Sequence, residues 1–235
     1  VSRWEAAVEA GDMTAAKKLG PQTAEYTREM VAETKRLFEL LGVTWVEAPM
    51  EAEGAAAVRC ARGEVGAVAS QDWDTLLYGA PVMVRNLTSH GTRRFGRVLQ
   101  AEKVVLAETL AKHDITHEQL VDLAIMIGTD FHPGIRGIGP KTGLKLIREH
   151  GTLEAVAEAR EFEVPKRLDE IRSLFLEHPT TGEPLPQSTH AVEEGLRDFL
   201  QRECGFSERR VQRALDRLIS VARLRSSSQP TLFDF

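Results

Sequence analysis

The chain has 235 residues, of which 42% are hydrophobic and 28% charged, with a formal net charge of −5 at pH 7. That apolar content excludes a chain disordered over most of its length and favours one large domain, or a domain with a smaller appendage. No run approaches the ~20 apolar residues of a membrane helix and no N-terminal basic stretch precedes an apolar run, so an intracellular protein with no membrane partner is expected.

Residues 1–11 are helical in composition, and Gly20-Pro21 breaks that pattern. Residues 23–41 space Tyr26, Met30, Leu37, Phe38 and Leu41 roughly every three or four positions, which predicts a helix capped by Gly42. The β-branched and aromatic residues 43–47 predict a short strand, 49–62 a small-residue helix, and 65–70 a buried strand. Residues 74–78 predict a helical turn and 81–87, with Val82, Val84 and Leu87, a further strand. Strands alternating with helices imply an α/β fold with a parallel sheet flanked by helices. From Ala101 onward strand signals nearly vanish, and 104–113, 117–127, 141–149, 153–159 and 192–204 predict a helical second half. Residues 180–186 predict a loop, and 226–228 a serine spacer before the last seven residues. Cys60 and Cys204 have no second Cys or His at zinc-ligand spacing, so they are expected to be small core residues.

Four acidic residues stand at the ends of predicted strands: Glu51 and Glu53 at a helix start, and Asp72 and Asp74 just after the next strand. Functional groups of open α/β sheets gather at the carboxyl ends of strands, so neighbouring ends can bring both pairs together. Crowded carboxylates repel one another, and a hard cation such as Mg²⁺ or Mn²⁺ is the natural way to stabilise them. Two ions about 4 Å apart would suit phosphodiester hydrolysis. Residues i and i+2 lie on opposite sides of a regular helix, so Glu51 and Glu53 must occupy its first turn to share a pocket. In an extended segment Asp72 and Asp74 share a face and Trp73 points the other way. A favourable helix dipole explains the two glutamates equally well, and an aspartate capping Thr75 and Leu76 explains the second pair.

The net negative charge is unevenly spread. From Gly134 to Arg148 there are Arg136, Lys141, Lys145 and Arg148 and no acid, and a second cluster holds Arg209, Arg210, Arg213, Arg217, Arg223 and Arg225. The second cluster reads equally as a solvated helix face. The first contains Gly137-Ile138-Gly139-Pro140-Lys141, a tight glycine turn between two helical patterns that opens the second one. Backbone N–H groups there can meet a phosphate. A dinucleotide-binding loop would need a preceding strand and different glycine spacing, and Thr142 stands where its last glycine belongs. A helix-hairpin-helix of this kind grips one DNA backbone without reading bases, with Lys141 and Lys145 as phosphate partners.

In order, Ala48-Pro49-Met50-Glu51-Ala52-Glu53-Gly54-Ala55, Ser70-Gln71-Asp72-Trp73-Asp74-Thr75-Leu76, Gly128-Thr129-Asp130-Phe131 and Gly134-Ile135-Arg136-Gly137-Ile138-Gly139-Pro140-Lys141 are found. With these four motifs the chain resembles the flap endonucleases of the XPG nuclease family, in their archaeal and eukaryotic style. The resemblance implies a partial PIN/XPG-like nuclease core and a C-terminal helical region with a helix-hairpin-helix. It places Glu51, Glu53, Asp72, Asp74 and Asp130 on the family's metal-site acids, which bind two divalent ions, Mg²⁺ being expected. It places Arg136, Gly137, Gly139, Lys141 and Lys145 on the duplex, with K⁺ as a monovalent cation at the hairpin. It also implies 5′ flap cleavage in replication and repair, accompanied by 5′-3′ exonuclease activity.

The last residues, from Gln229 to Phe235, look like a peptide that docks on the sliding clamp (PCNA). Leu232, Phe233 and Phe235 would fill an apolar groove and Gln229 would hydrogen-bond beside it. The expected segments are 1–20, part of a helical arch; 21–130, the nuclease core; 131–225, the hairpin and helical DNA-binding region; and 226–235, the clamp tail. A monomer is expected, in an archaeal cytoplasm in preference to a eukaryotic nucleus.

Family members begin with a further region carrying two more metal-site aspartates and the first strands of the sheet. The present chain matches from the middle of the arch, so it reads as a partial enzyme with an open sheet edge, expected to need that region for hydrolysis. Two other readings stay open. One is a non-catalytic adaptor that binds DNA and the clamp; the other is an exonuclease or bubble-cutting relative with the same chemistry.

Overall fold

A computed structural model describes residues 2–16, 27–94, 96–180 and 182–226 of the protein. The Gly20-Pro21 break and the clamp residues Gln229, Leu232, Phe233 and Phe235 lie outside the described residues. In chain order the first elements are α1 (Ser2–Glu9), α2 (Arg28–Leu41), α3 (Ala52–Ala61), β1 (Val68–Ala69), α4 (Asp74–Leu77), β2 (Val82–Arg85), β3 (Arg93–Arg94), β4 (Arg97–Val98) and β5 (Glu102–Val105). There follow α5 (Leu106–His113), α6 (His117–Ile127), α7 (Pro140–His150), α8 (Leu153–Arg160), α9 (Leu168–Leu176), α10 (Glu193–Asp198) and α11 (Glu208–Ser226), with a π-helical turn at Phe199–Glu203. Among the described residues no helix is long and apolar enough to cross a membrane.

These elements form two compact units. One combines the chain up to Val46 with the described residues from Leu185 onward, and the other is Glu47–Pro184. In the first unit, Thr27 caps α2 by accepting the Met30 N–H, and Gly42 ends the helix at φ 69°. Leu37, Leu40 and Leu41 of α2 pack against Leu196, Leu200, Val211 and Leu215. Val211 and Leu215 form the buried stripe of α11, while Arg209, Arg210, Arg213 and Arg217 lie on its exposed side.

The strand expected over 43–47 is not formed. Its composition favours extended backbone, but a strand also needs a ladder partner, and none lies alongside among the described residues. The neighbouring chain bonds to a loop: Gly42 O accepts from Thr189 N at 3.0 Å, Leu40 O from Val192 N at 2.8 Å, and the Thr44 hydroxyl donates to Pro186 O at 2.8 Å. Val43 and Val46 remain exposed.

In the second unit a three-stranded sheet runs in the order β1-β2-β5. Val68 and Ala69 of β1 pair in parallel with Met83 and Val84 of β2, as the α/β pattern predicts. β5 joins the other edge antiparallel, Val82 facing Val105 and Arg85 facing Glu102. This corrects the helix expected to start at residue 104, which begins at Leu106. The four residues of β5 open with charged Glu102 and Lys103, so they carry little apolar signal and become a strand by closing onto β2. A short hairpin, β3 with β4, is also unanticipated.

Helices α6 to α9 pack into one core around Val121, Ile125, Met126, Ile147, Leu153, Val156 and Phe175, each at most 1% exposed. Thr116 and Gln119 form a reciprocal cap at the start of α6. Gly143 lets α7 approach α6 closely, because a Cβ there would sit 2.6 Å from Leu123 Cδ1. Asp122 of α6 is 4% exposed. Arg172 of α9 grips it with Nε to Oδ1 at 2.7 Å and Nη2 to Oδ2 at 2.8 Å, and Leu153 N at the start of α8 donates to Oδ2 at 2.9 Å. The same guanidinium reaches both oxygens of Glu154, whose pKa is lowered first by that bond.

Removing one partner of a buried pair strands the other charge. Arg172→Met is expected to lower the unfolding free energy by about 3 kcal/mol in urea denaturation, with Asp122→Asn in the same chain restoring part of the loss. An unchanged urea midpoint in the single variant would contradict this role.

Candidate metal centre and nucleic-acid interface

The chain leaves residues 43–50 without regular structure and turns into α3 at Glu51, which takes the N-cap position with extended backbone (φ −67°, ψ 132°). Glu53 falls in the first turn, so both glutamates stand where their spacing requires. Small residues behind them set the depth of the helix. Gly54 is buried, and a Cβ there would lie 2.4 Å from the Cδ2 of His178. His178 is itself buried, and neither ring nitrogen has a hydrogen-bond partner among the described residues.

β1 delivers the second pair. Ser70 Oγ accepts from Asp72 N at 3.0 Å, and Asp72 Oδ1 accepts from Asp74 N at 3.0 Å. Trp73 between them is helical (φ −70°, ψ −19°), so this segment is a turn and not the extended stretch its alternation suggested. Asp130 comes from the turn after α6, where Thr129 N donates to His132 O at 2.8 Å. Phe131, next to Asp130, and Tyr78, at the end of α4, are joined through one further ring. Phe131 meets Phe175 at 5.5 Å between centroids, and Phe175 meets Tyr78 at 5.1 Å.

The electrostatics couple Asp74 to the other four acids. Burial raises the pKa of Asp74, and the negative charges of Asp72, Asp130, Glu53 and Glu51 raise it further. Tyr78 is pushed up to about 12, first by its own burial and then by Glu51, Asp74, Glu53 and Asp130. Among the described residues, no three His, Cys, Asp or Glu side chains close into a ready-made cation site. The donor set is nonetheless all oxygen and strongly negative, which fits Mg²⁺ or Mn²⁺ and not a thiolate-seeking metal.

The glycine turn joins α6 to α7. Gly137 sits at φ +87°, in the left-handed region, and Gly139 is the N-cap of α7 with Pro140 in the first turn. Ile138 is buried and anchors the turn. Arg136, Gly137, Lys141 and Lys145 are exposed, and among the described residues none of the three basic side chains is ion-paired. Neither the Gly137 nor the Gly139 N–H donates to a backbone carbonyl there. Lys141 and Lys145 line a groove continued by Thr142, His150 and Arg160.

A second basic stretch, not anticipated from composition, lies between the acids and β5. Between Asp74 and Glu102 there is no acidic residue, while Arg85, Arg93, Arg94 and Arg97 all fall there. Arg93 and Arg97 are exposed on the β3–β4 hairpin. The lack of acids was the available signal.

Comparison with known proteins follows the same lines. The XPG I-region family profile matches residues 42–130. The chain is 37% identical to flap endonuclease 1 of Ignicoccus hospitalis, an alignment covering 99% of this chain and 68% of that protein. Among solved structures it is similar to flap endonuclease-1 from Methanococcus jannaschii, with TM-score 0.74 and 36% identity over 92% of this chain and 65% of that one. It is also similar to the Holliday junction-resolving enzyme GEN1 in complex with product DNA and Mg²⁺ (TM-score 0.58, 25% identity, 80% of this chain and 54% of that one). The chain thus spans about two thirds of its flap endonuclease relatives.

Because its pKa is raised in the folded protein, a charged Asp74 opposes folding. That cost is complete above the raised pKa and disappears as pH falls below the ordinary value of 3.8. Without divalent cation at pH 7, Asp74→Asn is therefore expected to raise Tm by about 2 °C, and the gain should vanish in acid. A lower Tm for the variant at pH 7, read by calorimetry in EDTA, would refute the crowding.

Proposed function

The chain belongs to the flap endonuclease family of XPG nucleases, and we propose that it takes part in Mg²⁺-dependent cleavage of DNA at a 5′ flap. The observation that carries this reading is that four other carboxylates act on the partly buried Asp74 and add to the rise that burial causes. Glu51, Glu53, Asp72, Asp74 and Asp130 would hold two divalent ions, directly or through water. Such ions, when bound, activate the attacking water and stabilise the leaving oxygen. The five carboxylates would orient the ions, with the buried Tyr78 close enough to feel four of their charges.

Arg136, Gly137, Gly139, Lys141 and Lys145 would grip one strand of the duplex by its phosphates, with a monovalent cation such as K⁺ at the turn. Binding would then be strong in charge and blind to sequence. The segments 1–20, 21–130, 131–225 and 226–235 serve in this reading as arch, nuclease core, duplex grip and clamp tail. Gln229, Leu232, Phe233 and Phe235 would dock on a sliding clamp (PCNA), which raises the local concentration of enzyme at junctions. The setting is an intracellular, archaeal replication and repair system, with the protein acting as a monomer and trimming ends exonucleolytically as well.

The direct test is cutting of a labelled double-flap DNA in Mg²⁺, with EDTA as control, by this chain alone and mixed with the N-terminal part of a family member. Cleavage in either arm that Asp72→Ala abolishes while flap binding persists is the expected result. Cleavage undiminished in Asp72→Ala would refute the metal assignment, and DNA binding without cutting in both arms would leave an adaptor. Lys141→Ala is expected to weaken binding of every duplex sequence alike and to lower the slope of log affinity against log salt by about 1. Phe235→Ala should weaken clamp binding roughly tenfold and leave clamp-free cutting unchanged, as measured by surface plasmon resonance beside the nuclease assay. Equal clamp affinity would contradict the tail.

A further inference from the structure

Trp73 lies between the two aspartates of the β1–α4 turn and keeps 49% of its surface exposed. A single exposed apolar residue is ordinary. Its neighbour is not. Arg85, at the end of β2, holds its guanidinium carbon 4.0 Å from the centre of the indole ring. One terminal nitrogen donates weakly to the Gln71 carbonyl at 3.4 Å, and Nε is buried with no hydrogen-bond partner. Among the described residues no carboxylate comes within ion-pairing distance of Arg85, although Glu102 faces it across the sheet and Asp72 follows the residue it bonds.

A planar cation stacked on an aromatic ring, with only a long bond to a carbonyl from its terminal nitrogens, has no anionic acceptor among the described residues. Glu102 across the sheet would have been the simplest partner and is not used. We propose that Trp73 and Arg85 form a nucleotide platform, Trp73 stacking on an unpaired base and Arg85 donating to the phosphate of the same nucleotide. The ligand class follows from pairing a π-face with an anion. A free phosphate would use only Arg85 and would be repelled by the acids; an apolar ligand would leave the guanidinium unanswered.

Stacking also discriminates by structure. A base inside a duplex has both faces covered by its neighbours, so only an unpaired nucleotide can offer one to Trp73. The platform would therefore favour a strand that leaves the duplex at the carboxylates, and act as a specificity-determining element. This inference rests on the nuclease reading, since that reading brings a DNA strand to these loops. Phenylalanine at position 73 would keep part of the stacking surface, and alanine none. Lysine at position 85 would keep the charge and lose the planar fit.

The test uses the whole chain and flap DNA carrying 2-aminopurine at the first unpaired nucleotide, with Ca²⁺ replacing Mg²⁺ so that binding is read independently of turnover. The natural chain is expected to quench the probe at the flap base and not in a fully paired duplex. Trp73→Ala should abolish the quench and weaken flap binding roughly tenfold while duplex affinity stays within about twofold, with Trp73→Phe intermediate. Arg85→Lys should also weaken flap binding selectively. If Trp73→Ala binds flap and duplex like the natural chain with the quench intact, the platform is wrong and the nuclease reading stands. If Trp73→Ala weakens both DNAs equally, the tryptophan supports the fold and does not select unpaired bases, which also overturns the proposal. If the natural chain does not prefer flap over duplex, the platform falls, and the nuclease reading is decided separately by the double-flap cutting assay.

Discussion

A buried carboxylate fixes the larger unit. Asp122 has almost no access to water, and its charge is tolerable only because Arg172 and the Leu153 N–H meet it. Those partners come from α9 and from the start of α8, so α6 has one admissible position against both helices. Pairs of this kind add little net stability over a well-packed apolar substitute, and their contribution here is to specify the arrangement. What α6 carries at its C-terminal end inherits that precision: first Asp130, then the glycine turn, then the lysines of α7.

The acidic site works against the same physics. Glu51, Glu53, Asp72 and Asp130 all act on Asp74, and four of the five acids act on the buried Tyr78 as well. Asp74 holds its proton more tightly than usual, first because it is partly buried and then because the other four carboxylates repel its charge. Tyr78 responds in the same direction and remains a neutral phenol across the physiological range, so it adds no further negative charge. Such a site is unfavourable by itself, and bound cations would offset the repulsion and so stabilise the fold. Arg85 contrasts with this: it stands beside the acids, yet it is held against Trp73 and pairs with none of them.

Much of the site is legible in the sequence because it depends on local chemistry. A glutamate at an N-cap, an aspartate closing a turn and a glycine at positive φ are decided within a few residues, and the family resemblance rests on those positions. The misses are tertiary. Residues 43–47 have the composition of a strand, but pairing is a property of two segments. Glu102–Val105 does not look like a strand and becomes one because β2 has an open edge. Arg85 carries no signal alone; its meaning comes from the ring that the β1 turn places over it. The helix Leu168–Leu176, which supplies both Arg172 and Phe175, also went unnamed, although the pair it anchors orders the whole core.

The contact between Gly54 and His178 ties two distant positions of the chain to each other. The first turn of α3 has no space for even a methyl group while the imidazole lies against it. Alanine at 54 alone would force the buried imidazole to move, whereas a smaller residue at 178 would first open the space that a methyl group needs. The two positions are therefore coupled, and the effect of changing one depends on whether the other has already been changed.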